Sequence, residues 1–315
     1  MPAWLPSLNV LTSAGRLLAR VVGAVPLTRV AHAEIAELVR RAGEAEQAGR
    51  RDEATRLYRE ALGHHKNELT ALRGLRTLAV EAGNWREALD VAERLVAHAP
   101  AAERPRETEW LAIVHHELGR AEIGQGRPAA AIPHFRSAIR ADRSFVPAVL
   151  ALGEAHEATG DRREALRTWE RAVEAQPALP ILVRLERAYR EEGRPSRMIA
   201  VYRAAVERAP DDLALAVALG RVYFELEMLD EAADQFEKVE VRAPDLPVVH
   251  AFLGSVFERR GETREAFQEY RRALRLSHAF DWPHRCAACH APAPAWRERC
   301  QLCGRWNALQ PLGGR

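Results

Sequence analysis

The chain has 315 residues, a formal net charge of +2, and 47% hydrophobic and 29% charged residues. That composition excludes a disordered chain and a membrane-embedded bundle. The basic residues are almost all arginine, since only Lys66 and Lys238 are lysines; this reads as genome composition, and no nucleic-acid partner is expected from it.

The first thirty-four residues hold an apolar stretch interrupted by Arg16, Arg20 and Arg29. No run of about 20 apolar residues is present to span a bilayer. A secretory signal places its charge ahead of the apolar core, whereas these arginines lie within and after it. The pattern predicts a helix from about Ser7 to Val25, with Arg16 and Arg20 on one face and Leu17, Leu18, Val21, Val22 and Val25 largely on another. Such a helix either caps the remainder of the chain or lies on a membrane surface as a peripheral contact.

From about residue 35 to 278 the sequence repeats. A leading residue recurs at Gly49, Gly83, Gly126, Gly160, Gly193, Glu227 and Gly261, mostly 34 residues apart. Five residues later comes a small or apolar residue (Ala54, Ala88, Ala131, Ala165, Met198, Ala232, Ala266), and a proline or similar stop comes at seventeen. Seven residues ahead of the leading position, Gly119, Gly153, Gly220 and Gly254 recur, each after a leucine. Glycine at the leading position ends one helix and permits the turn, because it adopts positive φ cheaply. The other small residues mark helix crossings. One departure, an extra nine residues at Ala101–Glu109 containing Pro105, reads as an extended loop. The pattern resembles the tetratricopeptide repeat, and the resemblance implies about seven helix pairs stacked into a right-handed superhelical solenoid with a concave groove.

In that family the groove is lined by the first helix of each repeat. The register places Arg120, Glu154, Arg187 and Arg221 at equivalent inward positions. Arg184 and Arg190 lie one turn either side of Arg187, and Phe224 one turn beyond Arg221. Two readings are open. One is a basic strip with an aromatic contact, suited to an acidic peptide or a carboxylate terminus. The other is a set of solvated arginines paired with glutamates across repeats. The adjacent pairs His64–His65 and His115–His116 point about 100° apart on a helix, which is poor geometry for one shared metal.

All four cysteines fall in the tail, as Cys286-x2-Cys289-x10-Cys300-x2-Cys303. Clustering of this kind argues for metal and a reducing compartment rather than a disulfide scaffold. Two knuckles supply four thiolates to one tetrahedral ion, zinc or iron, with no open coordination position. Trp282, Trp296 and Trp306 stand beside the knuckles as cover for the metal site or a joint to the repeats, and His284 is a weaker alternative ligand. No phosphate loop, nucleophile elbow or HExxH is present, so no enzyme class is indicated.

A repeat array with this module behind it resembles the lipopolysaccharide assembly protein B family, whose tail is a rubredoxin-type module with an aromatic residue before the second knuckle and a tryptophan three residues after the last cysteine. Trp296 and Trp306 fit those roles. The resemblance implies a cytoplasmic adaptor at the inner membrane that directs a lipid A pathway deacetylase to a membrane-anchored AAA protease, with the metal module packed on the repeats. Three departures stand out: the family begins with a transmembrane helix that this sequence lacks, the array is shorter than usual for the family, and His290 comes after Cys289 where a knuckle often has glycine. The alternatives are a generic repeat scaffold or co-chaperone with a structural metal cap, and a nucleic-acid-binding zinc ribbon. The expected organisation is an all-α protein with a capping or amphipathic segment (1–34), a repeat solenoid (35–278) and a four-cysteine metal module (279–315).

Overall fold

The computed structural model describes residues 32–276 and 284–311. The amphipathic segment expected before residue 32, and Trp282, lie outside the described residues.

Fourteen helices are present among the described residues. α1 covers 32–47. The rest are α2 Arg51–His64, α3 Leu69–Glu81, α4 Trp85–His98, α5 Arg104–Gly124, α6 Pro128–Ala141, α7 Val146–Ala158 and α8 Arg162–Ala175. α9 Leu179–Glu191, α10 Pro195–Arg208, α11 Leu213–Glu225, α12 Leu229–Arg242, α13 Pro247–Arg260 and α14 Thr263–Leu276 complete the array. They form seven antiparallel-type pairs, and each second helix begins two residues after a leading position. Six of the leading residues are glycines with positive φ, +83° at Gly160 and Gly261. At the seventh, Glu227 takes φ +57°, a conformation that costs a residue with a Cβ free energy. Asp161 and Asp212 accept hydrogen bonds from the first-turn N–H groups of α8 and α11, as N-caps do. The residue five positions after each leading position, alanine in six pairs and Met198 in the fifth, is buried in all seven.

The nine extra residues do not form the expected loop. Residues 101–103 make a turn, and the rest extend α5 to 21 residues, starting at Arg104. Pro105 sits in the first turn, where the missing N–H has no intrahelical partner to lose.

The recurring crossing glycines have a specific partner. A Cβ at Gly119, Gly153, Gly220 or Gly254 would run into the ring of Phe135, Trp169, Phe236 or Tyr270, in each case the residue sixteen later on the second helix of the pair. The ring fills the space that the glycine leaves, so a small position on one helix is matched by a large one on the next. Where the glycine is replaced, the match changes character. In the fifth pair the crossing position is Glu186, and its carboxylate accepts a hydrogen bond from the Tyr202 hydroxyl at 2.7 Å. In the second pair the position is Arg76, and the residue sixteen later is Ala92.

Trp169 is 1% exposed and cannot retreat. Gly153→Ala therefore overpacks the α7–α8 crossing, with an expected cost of about 1–3 kcal/mol that outweighs the ~1 kcal/mol gained in helix propensity. A lowered thermal unfolding midpoint, restored by Gly153→Ala combined with Trp169→Leu, checks this.

The chain divides into two compact units, one ending at Val114 and the other beginning at His115. The first has its own core around Leu57, Tyr58, Leu72 and Leu95. The second holds the larger core, including Trp169, Leu182, Tyr202, Leu215, Phe236 and Val249, and also the cysteine module. That module is a three-stranded antiparallel sheet with β1 His284–Cys286 between β2 Pro292–Ala293 and β3 Leu309–Pro311. Among the described residues no helix is long and apolar enough to cross a membrane.

Candidate metal centre and first-helix groove

The two cysteine pairs occupy two copies of one turn. In the first, Cys286 N–H donates to the Ala291 carbonyl and His290 N–H donates to the Cys286 carbonyl (2.9 and 2.8 Å). In the second, Cys300 N–H donates to the Arg305 carbonyl and Gly304 N–H to the Cys300 carbonyl (2.8 and 2.9 Å). The residue after each second cysteine is left-handed, φ +69° at Gly304 and +58° at His290. His290 thus bears strain that glycine avoids at the equivalent position.

The turns bring four sulfurs together. Cys286 Sγ lies 3.6 Å from Cys303 Sγ, and Cys289 Sγ lies 3.7 Å from Cys300 Sγ. All four fall within 4.8 Å of one another. Four thiolates about 2.3 Å from a central ion stand about 3.8 Å apart in a tetrahedron, so the donor set fits a single zinc or iron. The electrostatics fit as well. Backbone N–H groups of Cys303 and Leu302 pull the Cys300 thiol down to about 6. The Ala291 N–H acts in the same direction on Cys289, but burial and the three neighbouring sulfurs push that thiol up to about 12. Four such groups ionise together only around a cation, which would supply a closed, structural or redox centre. His284 is buried on β1 and lines a neighbouring cavity rather than the sulfur cluster.

The module is seated on the repeats of its own unit. The ring of Trp306 meets the fully buried His116 of α5 edge-on at 5.8 Å. Asn307 Nδ2 donates to the Ser144 carbonyl (3.1 Å). Glu298 Oε2 stands 3.5 Å from an Arg120 guanidinium nitrogen and 3.8 Å from His116 Nε2. Trp296 packs both on the module's small core of Cys286, Cys300, Ala308 and Leu309 and on the repeat core. Of the tryptophans read as cover, Trp296 therefore adjoins the metal centre, and Trp306 is a joint to α5.

The groove arginines are brought to one face and are mostly paired. Arg184 is bound by Glu154 of the preceding pair. Arg221 grips Glu186 through both nitrogens, at 2.5 and 3.0 Å, from the next pair along. Arg190 bridges Glu186 and Glu225. Burial acts to raise the Glu186 pKa, but Arg221, with Tyr202 and Arg190, outweighs it and holds the carboxyl below its usual range. Arg187 is the most exposed of the four, at 71%, and has a single surface pair with Glu191 at 3.1 Å. Phe224 is covered by the Arg259 guanidinium, 4.2 Å from its ring centre, and turns toward Phe252. The cavity beside these arginines is lined instead by Phe252, Val183 and Val217, which the repeat register alone did not single out.

The model of the tetratricopeptide repeat family matches residues 122–185 and 189–256. The chain therefore contains tetratricopeptide repeats over these residues. It is similar to lipopolysaccharide assembly protein B of Escherichia coli K12, at 22% identity over 281 residues, covering 85% of this chain and 68% of that protein. Cellulose synthase operon protein C of Xanthomonas axonopodis pv. citri is 27% identical over 241 residues. That alignment covers 71% of this chain but only 16% of the relative. Among solved structures, MamA from Desulfovibrio magneticus RS-1 covers 54% of this chain and 97% of its own, with 19% identity and a TM-score of 0.38. YrrB, described as a tetratricopeptide protein with an unusual peptide-binding site, covers 56% and 90%, with 19% identity and a TM-score of 0.37.

Proposed function

We propose that this tetratricopeptide-repeat protein is a non-catalytic adaptor that regulates lipopolysaccharide synthesis. It holds a lipid A pathway enzyme on its first-helix face and presents it to a membrane-bound AAA protease on the cytoplasmic side of the inner membrane. The observation that carries this reading is the joint between the two parts. The four-cysteine module is fixed to the repeats by Trp306, Asn307 and Trp296, the combination that the lipopolysaccharide assembly protein B resemblance implies. A four-sulfur centre with no open position suits a support for a binding surface and leaves no site for hydrolysis at the metal. The ion is zinc or iron, and residues 1–34 give peripheral membrane contact.

The test uses purified full-length protein, the lipid A deacetylase and the membrane protease reconstituted in vesicles. The deacetylase is expected to co-elute with the chain on gel filtration and to be degraded faster in its presence. No co-elution and an unchanged degradation rate would overturn the assignment and leave a repeat scaffold for a different client.

A further inference from the structure

Between the cysteine module and the first helices of four successive pairs lies a cavity of about 860 Å³. Leu150 of α7, Val183 of α9, Val217 of α11 and Phe252 of α13 line one side, and Pro294 and Trp296 of the module line the other. Val183 is 47% exposed, an aliphatic side chain standing in water beside arginines and glutamates. Apolar surface of this kind, enclosed on two sides and rimmed by polar groups, marks a binding site.

The rim decides what fits. Four arginines border the cavity, Arg184, Arg187, Arg190 and Arg221. Three are held by Glu154, Glu186 and Glu225, and the fourth, Arg187, has only an exposed surface pair with Glu191, which an incoming carboxylate can replace at little cost. A phosphate-bearing lipid headgroup needs several uncommitted cations and would have to break these pairs. A protein segment asks for less: apolar side chains for the slot, and one carboxylate for the exposed Arg187.

We propose that this cavity takes an apolar segment of a protein partner, with aliphatic or aromatic side chains between Val183 and Trp296 and one acidic residue over Arg187. The metal module then supplies one wall of the binding site, so the array and the module bind the partner together. The inference rests on the adaptor reading and names the chemistry of its client.

The experiment is a random-dodecapeptide display selection on the full-length, metal-loaded protein, and then affinity measurements on a labelled copy of the enriched peptide. Enriched peptides should carry apolar residues next to an acidic one. Their affinity should fall about tenfold or more in Val183→Glu and in Trp296→Ala. Arg187→Glu should lose binding and recover it when the acidic residue of the peptide is changed to lysine. Val183 and Arg187 are exposed enough for these substitutions to leave the fold intact, which circular dichroism checks.

Peptides that bind equally well to all three variants overturn the cavity assignment and leave the adaptor reading standing. Decanoate binding that is lost in Val183→Glu, without any peptide binding, also overturns it, in favour of a lipid. Peptide binding that appears only in Phe280→Ala/Trp282→Ala would show that the chain's own segment 277–283 fills the cavity, again against the proposal. If neither peptides nor the deacetylase bind, both readings fall.

Discussion

Replacing Cys286 and Cys303 together by serine abolishes metal binding and unfolds residues 284–311 while leaving the repeat helices in place. The substitution removes one sulfur from each knuckle, and the two that remain, 3.7 Å apart, cannot close a tetrahedron. Within itself the module has little else to hold it. Its buried core is Cys286, Cys300, Ala308 and Leu309, and its strands are two or three residues long. A core of this size cannot offset the ordering entropy of the segment. Coordination contributes on the order of 10 kcal/mol in comparable small domains, so its loss is decisive there. The large core of Trp169, Leu182, Tyr202 and Phe236 lies within the repeats and is untouched. Elemental analysis should give about one equivalent of zinc or iron in the wild type and almost none in the variant. Far-UV circular dichroism should change little, while Trp296 and Trp306 fluorescence shifts toward that of exposed indole. A wild-type protein that purifies without metal yet keeps residues 284–311 protected from hydrogen exchange would refute the account. Because Trp296 also lines the groove cavity, the same variant should bind partner peptides more weakly.

The repeat was legible because its cause is local. A turn that needs positive φ selects glycine, and a close crossing selects a small residue, so both leave a mark every 34 positions. The knuckles were legible for a similar reason, since two cysteines three apart fit one turn. What escaped were features set by neighbours distant in sequence. The ring opposite each crossing glycine lies sixteen residues on; Gly153 with Trp169 and Gly220 with Phe236 form a spacing that could have been found by searching for it. Pro105 suggested a loop, yet proline is at home in the first turn of a helix, and α5 begins at Arg104. The periodicity placed Arg184, Arg190 and Arg221 on one face. Their pairing with glutamates about one repeat away, such as Arg221 with Glu186, required the stacking of pairs to be known. The seat of the module against His116 and Ser144 had no sequence signal, because those residues precede Trp306 and Asn307 by more than 160 positions.

The extension of α5 also explains a second large effect, within the first unit. Its first turn supplies Glu107, which is 1% exposed and binds Arg76, itself 4% exposed. Arg76 holds the crossing position of its pair, where most other pairs have glycine, and its guanidinium lies 4.5 Å from the ring centre of Trp110. Burial lowers the Arg76 pKa, yet an arginine stays charged under any ordinary condition. Its charge is therefore balanced by Glu107 and eased by the indole face. Arg73 shares Glu107 at 2.8 Å but also reaches Glu103, and it is exposed enough to turn to water. Arg76 has no such exit. Glu107→Ala should thus cost about 3–5 kcal/mol, the penalty for stranding a buried charge. The measurement is hydrogen exchange of α3 and α4 amides, whose opening free energy should drop by that amount. The double replacement Arg76→Met/Glu107→Leu removes both charges and keeps the volume filled, so it should recover most of the loss. If the single substitution changes protection by less than about 1 kcal/mol, Arg76 has found solvent, and the pair holds less of the first unit together than its burial indicates.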